Sequence, residues 1–127
     1  MMDDQELLEL AAKANNSPNI KLENFGAWFD DERERYWNPL VNDGDAARLA
    51  VRLRIDTCLN RGAAEAIWID EDRSETHSIE VACDEAFEGW PAKYAAFRRA
   101  VVLAAAEIGK AMPHMPDSNH RPLGDSK

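Results

Sequence analysis

Three segments in the middle of the sequence alternate between apolar and polar residues, and turns of only a few residues separate them. The segments cover residues 54–60, 64–70 and 76–83. Alternation with a period of two is typical of strands that bury one face, and connections this short join antiparallel neighbours. The sequence therefore predicts a three-stranded antiparallel meander. Alternate residues of its last strand should share a face, with Ser78, Glu80 and Ala82 on one side and His77, Ile79, Val81 and Cys83 on the other.

Helical patterns flank the meander in the sequence. Residues 3–15 carry leucines and alanines at helical spacing after two aspartates, and residues 45–53 follow a turn that can cap a helix. Residues 91–112 form the longest pattern, which we expect to begin near Pro91 and to be buried on most sides because its second face is also apolar. The predicted fold class is α+β, a small three-stranded meander packed with helices as an α-β-α sandwich, with a long C-terminal helix.

Two further segments show no clear period. Residues 19–42 mix aromatic residues with a run of charged residues, which predicts an ordered loop that could hold a short helix. Residues 113–127 are mostly proline and polar residues, which predicts a mobile tail. A chain of 127 residues is long enough for one domain and too short for two, so we assign residues 1–112 to a single domain.

The chain is acidic, with 24 acidic and 15 basic residues and a formal net charge of -9. Nucleic acids and anionic membranes favour clustered lysine and arginine, so this charge argues against direct binding to either. Nine of the acidic residues lie between Glu65 and Glu88, where Arg73 is the single base. The longest apolar run, Ala100–Ala106, is far shorter than a membrane-spanning helix, and the acidic amino terminus does not resemble a signal peptide. We therefore expect a cytoplasmic protein.

The sequence contains no recognisable catalytic constellation. Cys58 and Cys83 lie in apolar alternating segments, which predicts buried, reduced side chains. His77 shares a strand face with Cys83, but the intervening strand separates them by about 20 Å, although Cys58 could approach either residue across the sheet. His114 and His120 have no partner at a metal-ligand spacing. Phosphate-binding loops, nucleophile elbows and paired histidine motifs are missing from the sequence, so we expect no catalytic residue, metal or cofactor.

The turn from Asp70 to Glu75 offers oxygen ligands at alternate positions. A calcium-binding loop requires glycine at its sixth position and glutamate at its twelfth, where this sequence has Glu75 and Val81. A solvated hairpin tip is therefore the better interpretation. With neighbouring strand residues, the turn predicts an acidic binding surface formed by Glu65, Asp70, Glu71, Asp72, Glu75 and Glu80.

A second candidate site would bind an anionic ligand such as a nucleotide. Arginine and tryptophan are enriched at binding hot spots. The residues that could form such a site between subunits are Arg48, Arg52, Arg98, Arg99 and Trp90. The competing interpretation is that the arginines neutralise the acidic meander within the fold. The small apolar second face of the last helix also favours a homodimer.

Several short motifs follow one another between Tyr36 and Ile108. They are Trp37-Asn38-Pro39, Asp45-Ala46 at a helix start, a tryptophan in a strand at Trp68, and the helical sequence AAFRRAVV at residues 95–102. This order resembles the small phage α-β-α sandwich (ABA sandwich) domains, including NinX-like phage proteins. The resemblance implies a compact helix-sheet-helix fold encoded in a phage or prophage. It implies no agreed activity and no catalytic residues.

These features predict a non-enzymatic phage accessory protein that binds a host or phage protein in the bacterial cytoplasm. A dense carboxylate surface can occupy a groove that normally binds nucleic acid. The leading hypothesis is therefore an anti-defence role, comparable to that of an anti-CRISPR inhibitor. The alternative is an oligomeric protein that binds or sequesters an anionic small ligand, and an enzyme that uses cysteine or a metal is the least favoured.

Overall fold

The computed structural model describes residues 3–23, 26–60, 62–70, 75–83 and 85–112, and for residues 85–90 it describes the backbone alone. The described chain forms three helices and two sheets, whose elements are α1 (Asp4–Asn15), β1 (Ile20–Leu22), β2 (Trp28–Asp30), β3 (Arg35–Trp37), α2 (Asp43–Leu53), β4 (Asp56–Leu59), β5 (Ala63–Asp70), β6 (Glu75–Ala82) and α3 (Glu85–Ala111). Both sheets are antiparallel, with strand orders β1-β2-β3 and β4-β5-β6. The α+β class and the long C-terminal helix are confirmed. The predicted tail at 113–127 lies outside the described residues.

The two shorter helices begin at caps that the sequence encodes. Asp3 accepts a hydrogen bond from the backbone amide of Glu6, and the Glu6 carboxylate accepts one from the amide of Asp3, which makes a capping box at the start of α1. The side chain of Asn42 accepts a hydrogen bond from the amide of Asp45 at 2.8 Å and begins α2. Both predicted helices are confirmed, with ends that differ by no more than two residues.

The segment predicted as an irregular loop, residues 19–42, contains the first sheet, so that prediction was wrong. Its strands have three residues each, which is too short for a period to show in the sequence. The turn between β2 and β3 is built by the buried carboxylate of Asp30, which accepts hydrogen bonds from the amides of Glu32 and Arg33 and from the Arg33 guanidinium. Glu34 completes this turn in a left-handed conformation, with φ of 58°.

The second sheet is the predicted meander. β5 and β6 pair along all eight residues of each strand, and β4 pairs with the other edge of β5. His77, Ile79 and Val81 are half-buried, while the residues between them are exposed. The predicted faces of the last strand are therefore confirmed.

The last helix, α3, begins at Glu85 rather than near Pro91, so its predicted start was wrong. The proline resembles a helix-start signal, but it lies inside α3, where it has no N–H to donate to the carbonyl four residues earlier. The prediction of burial on most sides is confirmed by the buried residues Ala96, Ala100, Val101, Val102, Ala104, Ala105 and Ala106.

α1 crosses α3 at very short range. A Cβ atom at Gly109 of α3 would overlap the carbonyl group of Leu10 in α1 and lie 3.5 Å from the amide nitrogen of Ala14. Glycine is therefore required at this crossing, because any side chain would push the two helices apart.

α3 lies at the centre of the molecule. The second sheet packs on one side of it, and α1 and α2 pack on its other surfaces. The core joins the small residues of α3 to Leu7, Leu49, Ile55, Ala64 and Ala66. The layers therefore run from the second sheet through α3 to α1 and α2. An α-β-α sandwich would place helices on both faces of the sheet, whereas the described helices cover one face.

Candidate functional site

One face of the second sheet is covered by none of the described elements. Residues opposite each other in an antiparallel sheet point to the same side, so the register identifies the outward side chains. Across β4, β5 and β6 they form rows of Asp56, Ile67 and Ser78, then Cys58, Glu65 and Glu80, with Ile69 beside Thr76. All of them are exposed except Glu65 and Ile67, which are half-buried. We call this surface the outer face.

Three carboxylates crowd the middle of the outer face. Glu65 lies directly opposite Glu80, which places their Cβ atoms about 5 Å apart, and Asp56 is a diagonal neighbour of Glu65 at about 7 Å. Within the described residues, the outer face includes no lysine or arginine, and none of these carboxylates has an ion pair or side-chain hydrogen bond. Like charges this close repel one another. The outer face therefore carries concentrated negative charge that the described fold does not neutralise.

Two isoleucines extend the outer face beyond the carboxylates. Ile67 is half-buried between Asp56 and Ser78, and Ile69 is 63% exposed beside Thr76. A protein-binding surface commonly combines an apolar centre with a polar rim. The outer face carries both kinds of group, with the carboxylates in its middle and the isoleucines to one side of them.

The acidic surface predicted from the sequence is divided between the two sides of the sheet. Glu65 and Glu80 lie on the outer face, whereas Asp70 and Glu75 form the last register pair of β5 and β6 on the inner side, which faces α3. Glu71 and Asp72 lie outside the described residues. The six residues therefore do not form one continuous surface on the described chain, because the alternation of a strand separates residues that are close in sequence.

The inner end of the β5–β6 hairpin brings together Asp70, Glu75 and His77, which we call the hairpin-end cluster. One ligand-type atom of each side chain lies within 4.8 Å of the other two, and His77 Nε2 is 3.8 Å from Asp70 Oδ2. The His77 ring stacks on Trp68, the residue opposite it, with centroids 5.3 Å apart. In the sequence, His77 was weighed only against Cys58 and Cys83, and this cluster was missed. The sequence offered one signal for this cluster. A hairpin that closes between residues 70 and 75 pairs Asp70 with Glu75 and places His77 next to them on the same face.

The arginines predicted to bind an anion have structural partners instead. On α2, Arg48 donates to the buried carboxylate of Asp45 at 2.8 Å. Arg52 donates to the backbone carbonyls of Asn15 at 2.5 Å and Asn16 at 3.4 Å. Carbonyls at the end of a helix lack helical partners, so Arg52 satisfies the C-terminal end of α1.

Arg98 and Arg99 of α3 are also used within the fold. Arg98 donates to the carbonyl of Leu40 at 2.8 Å and to Asp43 at 2.7 Å, and Arg99 pairs with Asp4 at 3.2 Å. The four arginines therefore do not form one site: Arg48 and Arg98 lie at the start of α2, Arg52 lies at the end of α1, and Arg99 lies at the start of α1. The Trp90 side chain lies outside the described structure. Their acidic partners are in the first turns of α1 and α2. Neutralisation of the acidic meander by these arginines was thus a wrong interpretation.

A groove of about 510 Å³ nevertheless opens between α2, the end of α1 and the first sheet. Arg33, Arg48 and Arg52 line it, together with Trp37 and Asp30. Its size suits a small ligand. Its cations are partly neutralised already, because Arg33 pairs with the buried Asp30 inside the groove at 3.2 Å.

The two cysteines are free thiols with different surroundings. Cys83 is partly buried, but Cys58 is exposed, so its predicted burial was wrong. Cys58 points to the outer face of an edge strand, opposite Glu65. β5 separates it from β6, so Cys58 is not a cross-strand neighbour of His77 or Cys83. No cysteine–histidine pair forms among the described residues.

Comparison of the chain with protein-family models, with curated proteins and with solved structures finds no match. The resemblance to phage sandwich domains therefore stays a prediction. No helix in the described ranges combines the length and the apolar character needed to cross a membrane. The geometry of the outer face is the main guide to function.

Proposed function

We propose that this protein is a non-enzymatic binding protein whose outer face docks on a basic surface of a partner protein. The observation that supports this proposal is the row of Glu65 and Glu80, with Asp56 beside it, on a sheet face that none of the described elements covers. A fold gains no stability from placing like charges opposite each other. A basic partner would neutralise them and would be attracted over long distances.

The neighbouring isoleucines favour a protein as the partner. Ile67 and Ile69 can supply the apolar part of an interface, while the carboxylates supply charge complementarity. Basic protein surfaces of this kind commonly bind nucleic-acid phosphates. We therefore propose that the protein blocks such a surface in the bacterial cytoplasm, in an anti-defence role that its dense carboxylate surface would serve.

The test is capture of a partner from nuclease-treated bacterial lysate by a tagged protein, compared with the double variant Glu65→Lys/Glu80→Lys. We expect a stoichiometric protein that the native chain retains and the variant loses at least ten-fold. Elution with salt should release it, because screening weakens interactions between exposed charges.

The matched control is Glu9→Lys/Glu23→Lys, which changes the net charge equally at exposed positions away from the outer face. It should retain the partner as well as the native chain does. Equal capture by the two double variants would contradict the proposal, since it would mean that net charge, or another surface, decides binding. Circular dichroism of both variants checks that they fold.

The groove beside α2 supports a second candidate function, the binding of an anionic small ligand such as a nucleotide. Arg33, Arg48 and Arg52 line a cavity of suitable size. A panel of nucleotides in a thermal-shift assay tests this function, with light scattering to determine whether the protein is a dimer. A nucleotide that raises the melting temperature of the native chain, but not that of Arg33→Gln, would favour this candidate. No shift with any nucleotide would exclude it.

A further inference from the structure

We propose that the hairpin-end cluster of Asp70, Glu75 and His77 binds a divalent transition-metal ion of the zinc type. This site lies on the inner side of the β5–β6 hairpin and is independent of the outer face. It would contribute one imidazole nitrogen and two carboxylate oxygens. Three protein ligands of this kind leave a coordination position for water or for another ligand.

The spacing of the ligand atoms fits such an ion. Two ligand atoms of a tetrahedral zinc site, each about 2.1 Å from the metal, lie about 3.4 Å apart. In the structure, His77 Nε2 and Asp70 Oδ2 are 3.8 Å apart, and the ligand atoms of all three residues lie within 4.8 Å of one another. Side-chain rotations that move each ligand atom by less than about 1 Å would bring all three atoms to bonding distance from one metal ion.

The backbone positions these ligands in advance. Asp70 and Glu75 are the last paired residues of β5 and β6, and His77 is two residues further along β6 on the same face. The stacked ring of Trp68 holds the imidazole of His77 nearly parallel to it, with an angle of 20° between the planes. An orientation fixed by packing reduces the entropy that a ligand loses when it binds a metal.

The chemistry of the cluster selects the class of ion. Calcium and magnesium prefer sites made of oxygen ligands alone, whereas imidazole favours zinc and its neighbours in the first transition row. The side chains of His77 and Asp70 are 39% and 26% exposed, so an ion can reach them from solvent. The net charge of -9 further favours a cation.

The experiment is titration of the full-length, tag-free chain with Zn²⁺ in competition with a chromophoric chelator. We expect one ion per chain, with affinity at least ten-fold weaker in His77→Gln and in Glu75→Gln. Zinc should also change the tryptophan fluorescence of the native chain, and this change should shrink in Trp68→Phe, because Trp68 contacts the proposed ligand.

Two matched controls remove the other side chains that zinc favours. Cys58→Ser/Cys83→Ser and His114→Ala/His120→Ala should both bind zinc as the native chain does. Absence of zinc binding to the native chain, binding that survives His77→Gln and Glu75→Gln, or loss of binding in a control would overturn the proposal. If circular dichroism shows that His77→Gln does not fold, the exposed Glu75 provides the deciding variant. A chelator should leave partner capture by the outer face unchanged, so the two proposals can fail separately.

Discussion

The two sheets of this protein are stabilised in different ways. The first has strands of three residues, and buried carboxylates hold its turn and its connection to α2. In the second, two strands pair over eight residues and bury one apolar face against α3. Short strands bury too little surface to be stable alone, so they depend on specific polar contacts, whereas long strands are stabilised by register and burial.

Asp45 is the centre of the polar contacts around the first sheet. Its side chain is 1% exposed and accepts hydrogen bonds from Arg35 of β3 at 3.1 Å, from Arg48 of α2 at 2.8 Å and from the amide of Asn38 at 2.9 Å. One carboxylate thus joins a strand, a loop and a helix. Its lone pairs are well used, which is the condition under which a buried charge is tolerated.

The largest effect on stability is expected from Asp45→Ala. This substitution leaves two guanidinium groups and a backbone amide without their acceptor, which should lower the free energy of unfolding by about 3 kcal/mol. This value is at the lower end of the cost of breaking a buried ion pair, because both arginines are partly exposed. Urea unfolding measures it. Asp43→Ala is the matched control on the same helix, where the carboxylate is exposed and the loss should be about 1 kcal/mol or less. Equal losses would show that the first sheet does not depend on the buried carboxylate.

Packing around α3 is tested by Gly109→Ala. The added methyl group would overlap the carbonyl of Leu10, and separating α1 from α3 should lower the free energy of unfolding by about 2 kcal/mol. Gly62→Ala is the control, because a Cβ there meets no atom within 4 Å. Thermal unfolding of the two variants should differ clearly. A Gly109→Ala protein as stable as Gly62→Ala would mean that the helix crossing can relax at little cost.

A smaller effect of the opposite sign is expected from Glu80→Gln. Removing one of two opposed carboxylates relieves repulsion on the outer face and should raise the free energy of unfolding by about 0.5 kcal/mol. The gain should decrease as salt is added, because salt screens exposed charges. Glu9→Gln, on the exposed side of α1, should change stability less. A destabilised Glu80→Gln protein would indicate that the carboxylate is needed by the fold rather than by a partner.

The smallest change in stability is expected from Ile69→Ser. The side chain is 63% exposed, so the free energy of unfolding should change by less than about 0.5 kcal/mol, while capture of the proposed partner should weaken several-fold. Val41→Ser is the matched control, since Val41 is 69% exposed and lies away from the second sheet. Unchanged capture by Ile69→Ser would restrict the binding surface to the carboxylates.

The second sheet was more predictable from sequence than the first because its strands are long enough to repeat. Eight residues of β6 show the alternation that places His77 and Ile79 inward, whereas three residues of β2 show none. The charged run around Asp30 is a turn whose carboxylate binds its own backbone, and composition alone does not distinguish it from a solvated loop. The position of Pro91 inside α3 was missed because the same residue often starts a helix.

The sequence by itself determined the features that depend on neighbouring residues: the caps at Asp3 and Asn42, the faces of β6 and the small apolar surfaces of α3. The tertiary structure decided the features that depend on register and packing between distant segments. It placed Glu65 opposite Glu80 and His77 beside Asp70, and it brought the Arg52 guanidinium to the backbone carbonyl of Asn15 at the end of α1. Local patterns arise from backbone geometry within a few residues. The contacts between distant segments depend instead on which of many possible strand pairings forms. The pairing that buries apolar residues against α3 is the one that is favoured.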